Sequence, residues 1–308
     1  MTPVVRVASA PCSFGVDEVV VHDTWMPGPD EMLDWMAALD YRGTELGPPG
    51  FMGDGPTMGQ RLAERGLEFI GTFLPQTLTD DGRCLEDRAS MERLLAELRR
   101  GLPGGAEPFA VFSDAIDQPI RQQAAGRVGS RPGAQLDNAG WRRLVANLHR
   151  SAERAATLGF RPVVHPHCGT YLETADEIDR LVGLIDPSLV GLCLDTGHFR
   201  FGDADPAASI RAYREIVRHV HVKDCDTSVR DATVARDEDV VAALAGGVFC
   251  PLGSGDADIP AAVRALGEIG YSGWVVVEQD QFLATSVTPE QVVEGQRANR
   301  EFLARLGL

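Results

Sequence analysis

Eight short runs rich in β-branched residues alternate along the chain with amphipathic stretches of about 10 to 20 residues, the pattern of parallel strands joined by crossover helices. The alternation fills 308 residues with no linker and no repeat longer than the βα unit. The segment after the first run, Ala8-Ser9-Ala10-Pro11-Cys12-Ser13-Phe14-Gly15, is not the G-x-G-x-x-G turn that an open, dinucleotide-binding sheet would carry. These observations predict an α/β protein built as a single (β/α)8 barrel over residues 1–308. Its active site would lie at the C-terminal ends of the strands.

Strands are predicted over Val4–Ala8, Arg42–Leu46, Glu68–Phe73, Phe109–Phe112, Arg161–His165, Val190–Asp195, Val217–Lys223 and Gly273–Glu278. Between them, helical spacing of apolar residues predicts helices such as Pro29–Leu39, Asp87–Arg100, Asn138–Leu158, Thr174–Ile185, Pro206–Ile216 and Pro289–Arg305. Thr174 precedes Ala175-Asp176-Glu177, an N-cap followed by acidic residues in the first turn, and Gly159 and Gly270 stand where helices close before a strand. Two stretches interrupt the regular beat. Gln118–Leu136 is polar and rich in Gly, Arg and Gln, and reads as a long loop after the fourth strand, either a lid or a partly mobile segment. The stretch Cys225–Asp258 inserts an extra helix before Pro251-Leu252-Gly253-Ser254-Gly255-Asp256.

Composition excludes several classes of function. With 45 acidic against 29 basic residues the formal charge is −16, which repels phosphate backbones and anionic lipid, so neither nucleic acid nor membrane is an expected partner. The longest basic clusters, Arg99-Arg100 and Arg142-Arg143, fall on helix faces and form no patch. Six cysteines without a C-x-x-C pair point to reduced thiols and a cytoplasmic protein. Met1–Ala10 has too short an apolar run for a signal peptide, and no apolar run reaches the roughly 18 residues of a membrane span.

The strand ends carry the chemistry. The second strand ends in Gly43-Thr44-Glu45-Leu46-Gly47, the fifth in His165-Pro166-His167, the sixth in Asp195-Thr196-Gly197-His198, the seventh in His219-Val220-His221-Val222-Lys223-Asp224 and the eighth in Glu278. A lone histidine is ordinarily a hydrogen-bonded structural residue, yet five of the seven in this chain fall at strand ends on one face. Carboxylates and imidazoles at one level are the ligand chemistry of a divalent metal such as Mn2+, Co2+, Fe2+ or Zn2+. Strand alternation puts His219, His221 and Lys223 on one side, with His221 better placed than His219 to reach a metal.

Leu194-Asp195-Thr196-Gly197-His198, the His219–Asp224 run and the terminal Glu278 resemble the xylose isomerase-like TIM barrels, which include sugar-phosphate isomerases, ketose epimerases and an apurinic endonuclease branch. Within them the chain looks like the inosose (2-keto-myo-inositol) dehydratases, through Gly43–Gly47, His165–Thr170, Ile178–Leu181, Asp186-Pro187, Gly255-Asp256 and Tyr271–Trp274. It departs from them at Pro166, where those dehydratases carry a histidine, and at Gly253-Ser254-Gly255, where they carry Gly-Asp-Gly. The resemblance implies one divalent ion, Mn2+ or Co2+ first and Zn2+, Fe2+ or Mg2+ otherwise, held by Asp195, His221 and Glu278. A fourth ligand from the fifth strand is expected at His167, with Glu173 and His165 in reserve. It also implies a small sugar or cyclitol substrate contacted by His165, Thr170 and Asp224, and is compatible with a homo-oligomer.

A metal chelated by a substrate carbonyl and its neighbouring hydroxyl stabilises the oxyanion that forms when the adjacent C–H proton is lost. The resulting enediolate can expel a β-hydroxyl, the dehydratase outcome, or be reprotonated, the isomerase or epimerase outcome. The expected catalytic residues are Glu45, His198 or His167 as base, and Lys223 to hold or assist the departing hydroxyl. The endonuclease branch fits poorly with the net charge of −16.

Overall fold

The computed structural model describes residues 5–17 and 24–308. Its strands are β1 (Val5–Ser9), β2 (Gly43–Glu45), β3 (Glu68–Gln76), β4 (Phe109–Asp114), β5 (Arg161–Val164), β6 (Gly191–Asp195), β7 (Val217–Val222), β8 (Asp224–Cys225), β9 (Phe249–Cys250) and β10 (Gly273–Val277). The first seven and β10 pair in parallel, each with its sequential neighbour, and β10 closes the ring on β1. Short β8 and β9 form a separate antiparallel ribbon. The eight predicted strands are therefore the eight staves of a closed barrel. Val4, the first residue of the predicted opening strand, lies outside the described residues.

The helices are α1 (Pro29–Ala38), α2 (Gly55–Arg65), α3 (Asp81–Arg99), α4 (Pro119–Ala124), α5 (Asn138–Thr157), α6 (Ala175–Leu184), α7 (Thr196–Phe201), α8 (Pro206–Ala212), α9 (Thr227–Ala235), α10 (Val240–Ala245), α11 (Ile259–Glu268) and α12 (Pro289–Arg305). Strand alternation sorts the side chains into two cores. Val7, Leu192, Leu194, Val220, Val222, Val275 and Val277 point out and pack under the helices. Ala8, Ile70, Phe109, Val111, Val163, Cys193, Trp274 and Val276 point in and plug the bottom of the barrel. Each fully buried aliphatic side chain contributes roughly 1.5–3 kcal/mol.

Helix ends follow local chemistry. Thr174 and Glu177 form a reciprocal capping box at α6, and Gly159 and Gly270 adopt the left-handed conformation at φ 79° and 68°. The helix α2 opens on Asp54-Gly55-Pro56, residue types that also suit a turn. Here Asp54 caps it by accepting from Thr57 N–H, and Pro56 occupies the first turn, where it sacrifices no hydrogen bond. Its glycines meet bare backbone: a Cβ on Gly59 would come within 2.1 Å of the Gly101 carbonyl oxygen.

The 118–136 stretch is neither a free lid nor an irregular loop. It folds as α4 and a 3-10 turn at Val128–Ser130. Arg121, fully buried, donates to the Ala134 carbonyl at 2.8 Å and forks onto both oxygens of Glu177 at 2.8 and 3.0 Å. Arg127 reaches the Val234 carbonyl, tying the stretch to α9. The insertion after β7 holds two helices, α9 and α10, before β9. Among the described residues no helix is long and apolar enough to cross a membrane.

Candidate metal centre and active site

Register lays down the floor of the barrel mouth. Pairing between β6 and β7 skips one residue, so that Leu192 faces Val217 but Cys193 faces His219 and Asp195 faces His221. A similar irregularity between β2 and β3 sets Thr44 against Phe69 but Glu45 against Gly71. Such bulges re-aim side chains, and both here turn ionisable groups into the lumen. One donor atom from each of His165, Asp195, His221 and Glu278 lies within 4.8 Å of the others, and all four residues are buried.

Two of these side chains divide their atoms between structure and site. Asp195 Oδ1 caps α7, accepting from the N–H groups of Gly197 (2.7 Å) and His198 (2.9 Å). Its Oδ2 is buried without a hydrogen bond and faces His165 Nε2 at 3.5 Å and His221 Nδ1 at 3.8 Å. His221 Nε2 lies 3.0 Å from Glu45 Oε1, while its Nδ1, also without a hydrogen bond, looks at Glu278 Oε2 at 3.3 Å. Two carboxylates facing Nδ1 call for positive charge between them, supplied by a proton on His221 or by a cation to which a neutral His221, keeping its proton on Nε2, would offer the Nδ1 lone pair. The donor set of two imidazoles and two carboxylates fits a divalent metal.

Electrostatics reinforce this arrangement. Burial opposes ionisation of Glu278, yet His221 and Lys223 outweigh it and hold the carboxyl well below its usual range. Burial also works against charge on His221, but Cys193, Glu278 and Glu45 raise its pKa well above the ordinary value. Lys223, only 2% exposed, overcomes burial through Asp280, Glu278 and Asp195 and stays an ammonium. Its Nζ sits 3.1 Å from Glu278 Oε2, 3.1 Å from Asp280 Oδ1 and 3.2 Å from His198 Nε2, and 4.6 Å over the Phe249 ring. Its stem passes Gly197, where a Cβ would come within 2.7 Å of Lys223 Cγ.

Beside the cluster, the His167 and His198 rings lie against each other, centroids 3.8 Å apart and tilted by 35°, joined through the Cys168 backbone. His167 Nδ1 donates to the Cys168 carbonyl at 2.8 Å, and Cys168 N–H donates to His198 Nδ1 at 3.2 Å. Burial, with His165 adding, pushes His167 down to about 3, and burial with His167 adding pushes His198 well below its ordinary value. Both rings are neutral. The carbonyl fixes the His167 proton on Nδ1 and leaves an Nε2 lone pair. Above this floor Phe73, Ile116, Leu244 and Phe282 form an apolar wall, and no arginine is among the described residues lining the cavity.

A family model described as the xylose isomerase-like TIM barrel matches residues 33–305. The chain belongs to this family. Among its relatives, a protein named inosose dehydratase from Geobacillus kaustophilus is 32% identical over 277 residues, covering 90% of this chain and 87% of its own. The rhizopine catabolism protein MocC of Rhizobium meliloti is also 32% identical, over 90% of this chain and 82% of its own. A crystal structure described as IOLI protein with a binding zinc atom shares the fold of this xylose isomerase-like barrel. Its TM-score is 0.68 at 15% identity, over 98% of this chain and 97% of that one.

Several residues expected in the site stand elsewhere. From the end of β5 it is His165, not His167, that joins Asp195, His221 and Glu278; His167 groups with His198 and Cys168. Glu173 faces away: its oxygens accept from Gly126 N–H (2.8 Å) and Gly169 N–H (2.6 Å), pinning two loops together. Thr170, fully buried, closes a turn by donating to the His167 carbonyl. Asp224 accepts from the N–H groups of Cys225, Gly253, Gly255 and Ala257, which spends both its oxygens on folding the 251–257 loop. Glu45 is no free base, since one oxygen accepts from both His219 (2.7 Å) and His221 (3.0 Å). Asp280 escaped the sequence reading, although its spacing of two from Glu278 puts both on one side of an extended strand end.

Proposed function

We propose that this protein dehydrates an inosose, or a similar neutral cyclic keto-polyol, with a divalent transition metal held by His165, Asp195, His221 and Glu278. The observation that carries the reading is the pair of buried atoms without hydrogen bonds, Asp195 Oδ2 and His221 Nδ1, aimed at one point below an arginine-free cavity. The name of the Geobacillus kaustophilus relative supports the substrate class. A cavity with Glu45, Glu278 and Asp280 and no arginine suits an uncharged ring better than a phosphorylated or carboxylated one. Two imidazoles with two carboxylates favour Mn2+, Co2+, Fe2+ or Zn2+ over Mg2+, and Mn2+ or Co2+ is our choice. The bound ion supplies Lewis acidity, stabilising negative charge that develops on the substrate oxygen.

The chain's own residues supply the proton transfers. His167 Nε2, whose lone pair is fixed by the Nδ1–H bond to Cys168, takes the proton from the carbon beside the carbonyl. Lys223 protonates the hydroxyl on the next carbon, which departs as water. His198, 3.2 Å from Lys223 Nζ, orients the lysine; after water and product leave, His167 gives its proton to solvent and Lys223 takes one back, which restores both groups. The apolar wall covers the non-polar face of the ring. Six free thiols support a reducing, cytoplasmic setting.

The test is metal content of the purified protein followed by mass-resolved turnover of 2-keto-myo-inositol with added Mn2+ or Co2+. One ion per chain and a product lighter by one water are expected. A mass-neutral product would make the enzyme an isomerase or epimerase, and failure to take up metal would remove the site as drawn.

A further inference from the structure

We infer that Glu45 acts as a positioning residue that fixes which nitrogen of His221 faces the metal, rather than as an acid or base toward substrate. The inference rests on the metal reading above and extends it one layer outward. Glu45 Oε1 receives two imidazole nitrogens, His219 Nε2 at 2.7 Å and His221 Nε2 at 3.0 Å. A carboxylate oxygen only accepts, so each Nε2 must carry its proton. With Nε2 engaged in this way, Nδ1 is the nitrogen that can give up its proton to an incoming cation and offer a lone pair, and it is the atom that faces Asp195 Oδ2 and Glu278 Oε2.

Three independent features show that the arrangement is built. The register skip between Thr44 and Glu45 turns the carboxylate inward from a strand of only three residues. Opposite it stands Gly71, where a Cβ would sit 3.5 Å from Glu45 Oε1 and 3.2 Å from Phe109 Cβ. On the far side His219, with no exposure, stacks on Phe109 at 4.2 Å with an interplanar angle of 23°. That ring cannot turn away, so His219 holds Glu45 in place while Glu45 holds His221. A hydrogen-bonded carboxylate behind a ligating histidine orients the ring and raises its basicity, and its loss typically weakens metal binding by about 10- to 100-fold.

The test uses the full-length chain with Zn2+ as the probe. In the 15N-labelled, Zn2+-loaded wild type, His221 should show a proton on Nε2 and zinc on Nδ1, an observation that needs no variant. In Glu45→Gln, the Zn2+ dissociation constant measured by chelator competition should rise by about 10- to 100-fold. Turnover should then be restored by excess metal. Zinc on Nε2 of His221, or a Glu45→Gln affinity equal to that of the wild type, overturns the inference and leaves the metal site standing. Loss of turnover in Glu45→Gln that excess metal does not restore, with affinity intact, makes Glu45 a base after all. A wild type that takes up no Zn2+ overturns both this inference and the metal reading beneath it.

Discussion

Asp195 serves the fold with one oxygen and the site with the other, so substitutions separate the two roles. Asp195→Asn keeps an acceptor for the Gly197 and His198 amides but loses the charge at Oδ2. Its melting temperature should stay close to that of the wild type while turnover falls by at least about 100-fold, checked by circular dichroism alongside kinetics. Asp195→Ala should lose a further ~1 kcal/mol for the missing cap. Glu173 shows a pH effect of opposite purpose. Burial raises its pKa from 4.5 to about 7, so its contribution to stability is complete below pH 4.5 and fades as pH rises through about 7. Glu173→Gln lacks that term. Urea denaturation at pH 4.5 and pH 8 should find the variant gaining on the wild type by up to about 3 kcal/mol, and a constant difference would refute the assignment. Both residues were visible in the sequence as acids near strand ends. What the sequence withheld was direction: His165 and His167 differ by two positions, and only the turn after β5 decides that one meets Asp195 while the other lies against His198.

At the level of elements, strands were far more legible than helices. Strand periodicity was doubled by chemistry, since inward positions end in His, Asp or Glu and outward ones are Val or Leu. The helices α2, α4 and α7 begin with Gly, Pro or a strand-end carboxylate, signals that also describe turns. Thr174 and Glu177 announced α6 because a capping box is local, whereas α4 depends on a partner more than fifty residues away. That dependence can be tested. Arg121→Met strands the Glu177 carboxylate beside a non-polar chain, with only the amides of Glu173 and Thr174 left to it. Destabilisation of about 3 kcal/mol is expected by chemical denaturation, with new protease cleavage in residues 115–137. Unchanged stability would mean that the segment is held by its contacts to α9 alone.

For the molecule as a whole, charge and cavity agree. The chain carries −16, no arginine is among the described residues at its mouth, and the one lysine there is already paired with Glu278 and Asp280, so its field disfavours gathering an anion. For a neutral keto-polyol, kcat/KM should therefore vary little between low and physiological ionic strength. A carboxylated analogue should compete poorly at low salt and somewhat better as salt rises; strong salt-sensitive binding of such an anion would contradict the neutral-substrate reading. The two places where strand partners slip by one residue, at β2 and at β7, bear on how such a protein can change over generations. Exchanging a side chain at the mouth alters one contact and leaves the rest in phase. Adding or deleting a single residue upstream of His221 inverts β7, sending the imidazoles under the helices and the valines into the lumen. New specificities are thus open to this scaffold through replacement, and through length changes in the connecting loops, while a length change within a stave is borne only where a bulge absorbs it, as the extra residues of β3 and β7 do.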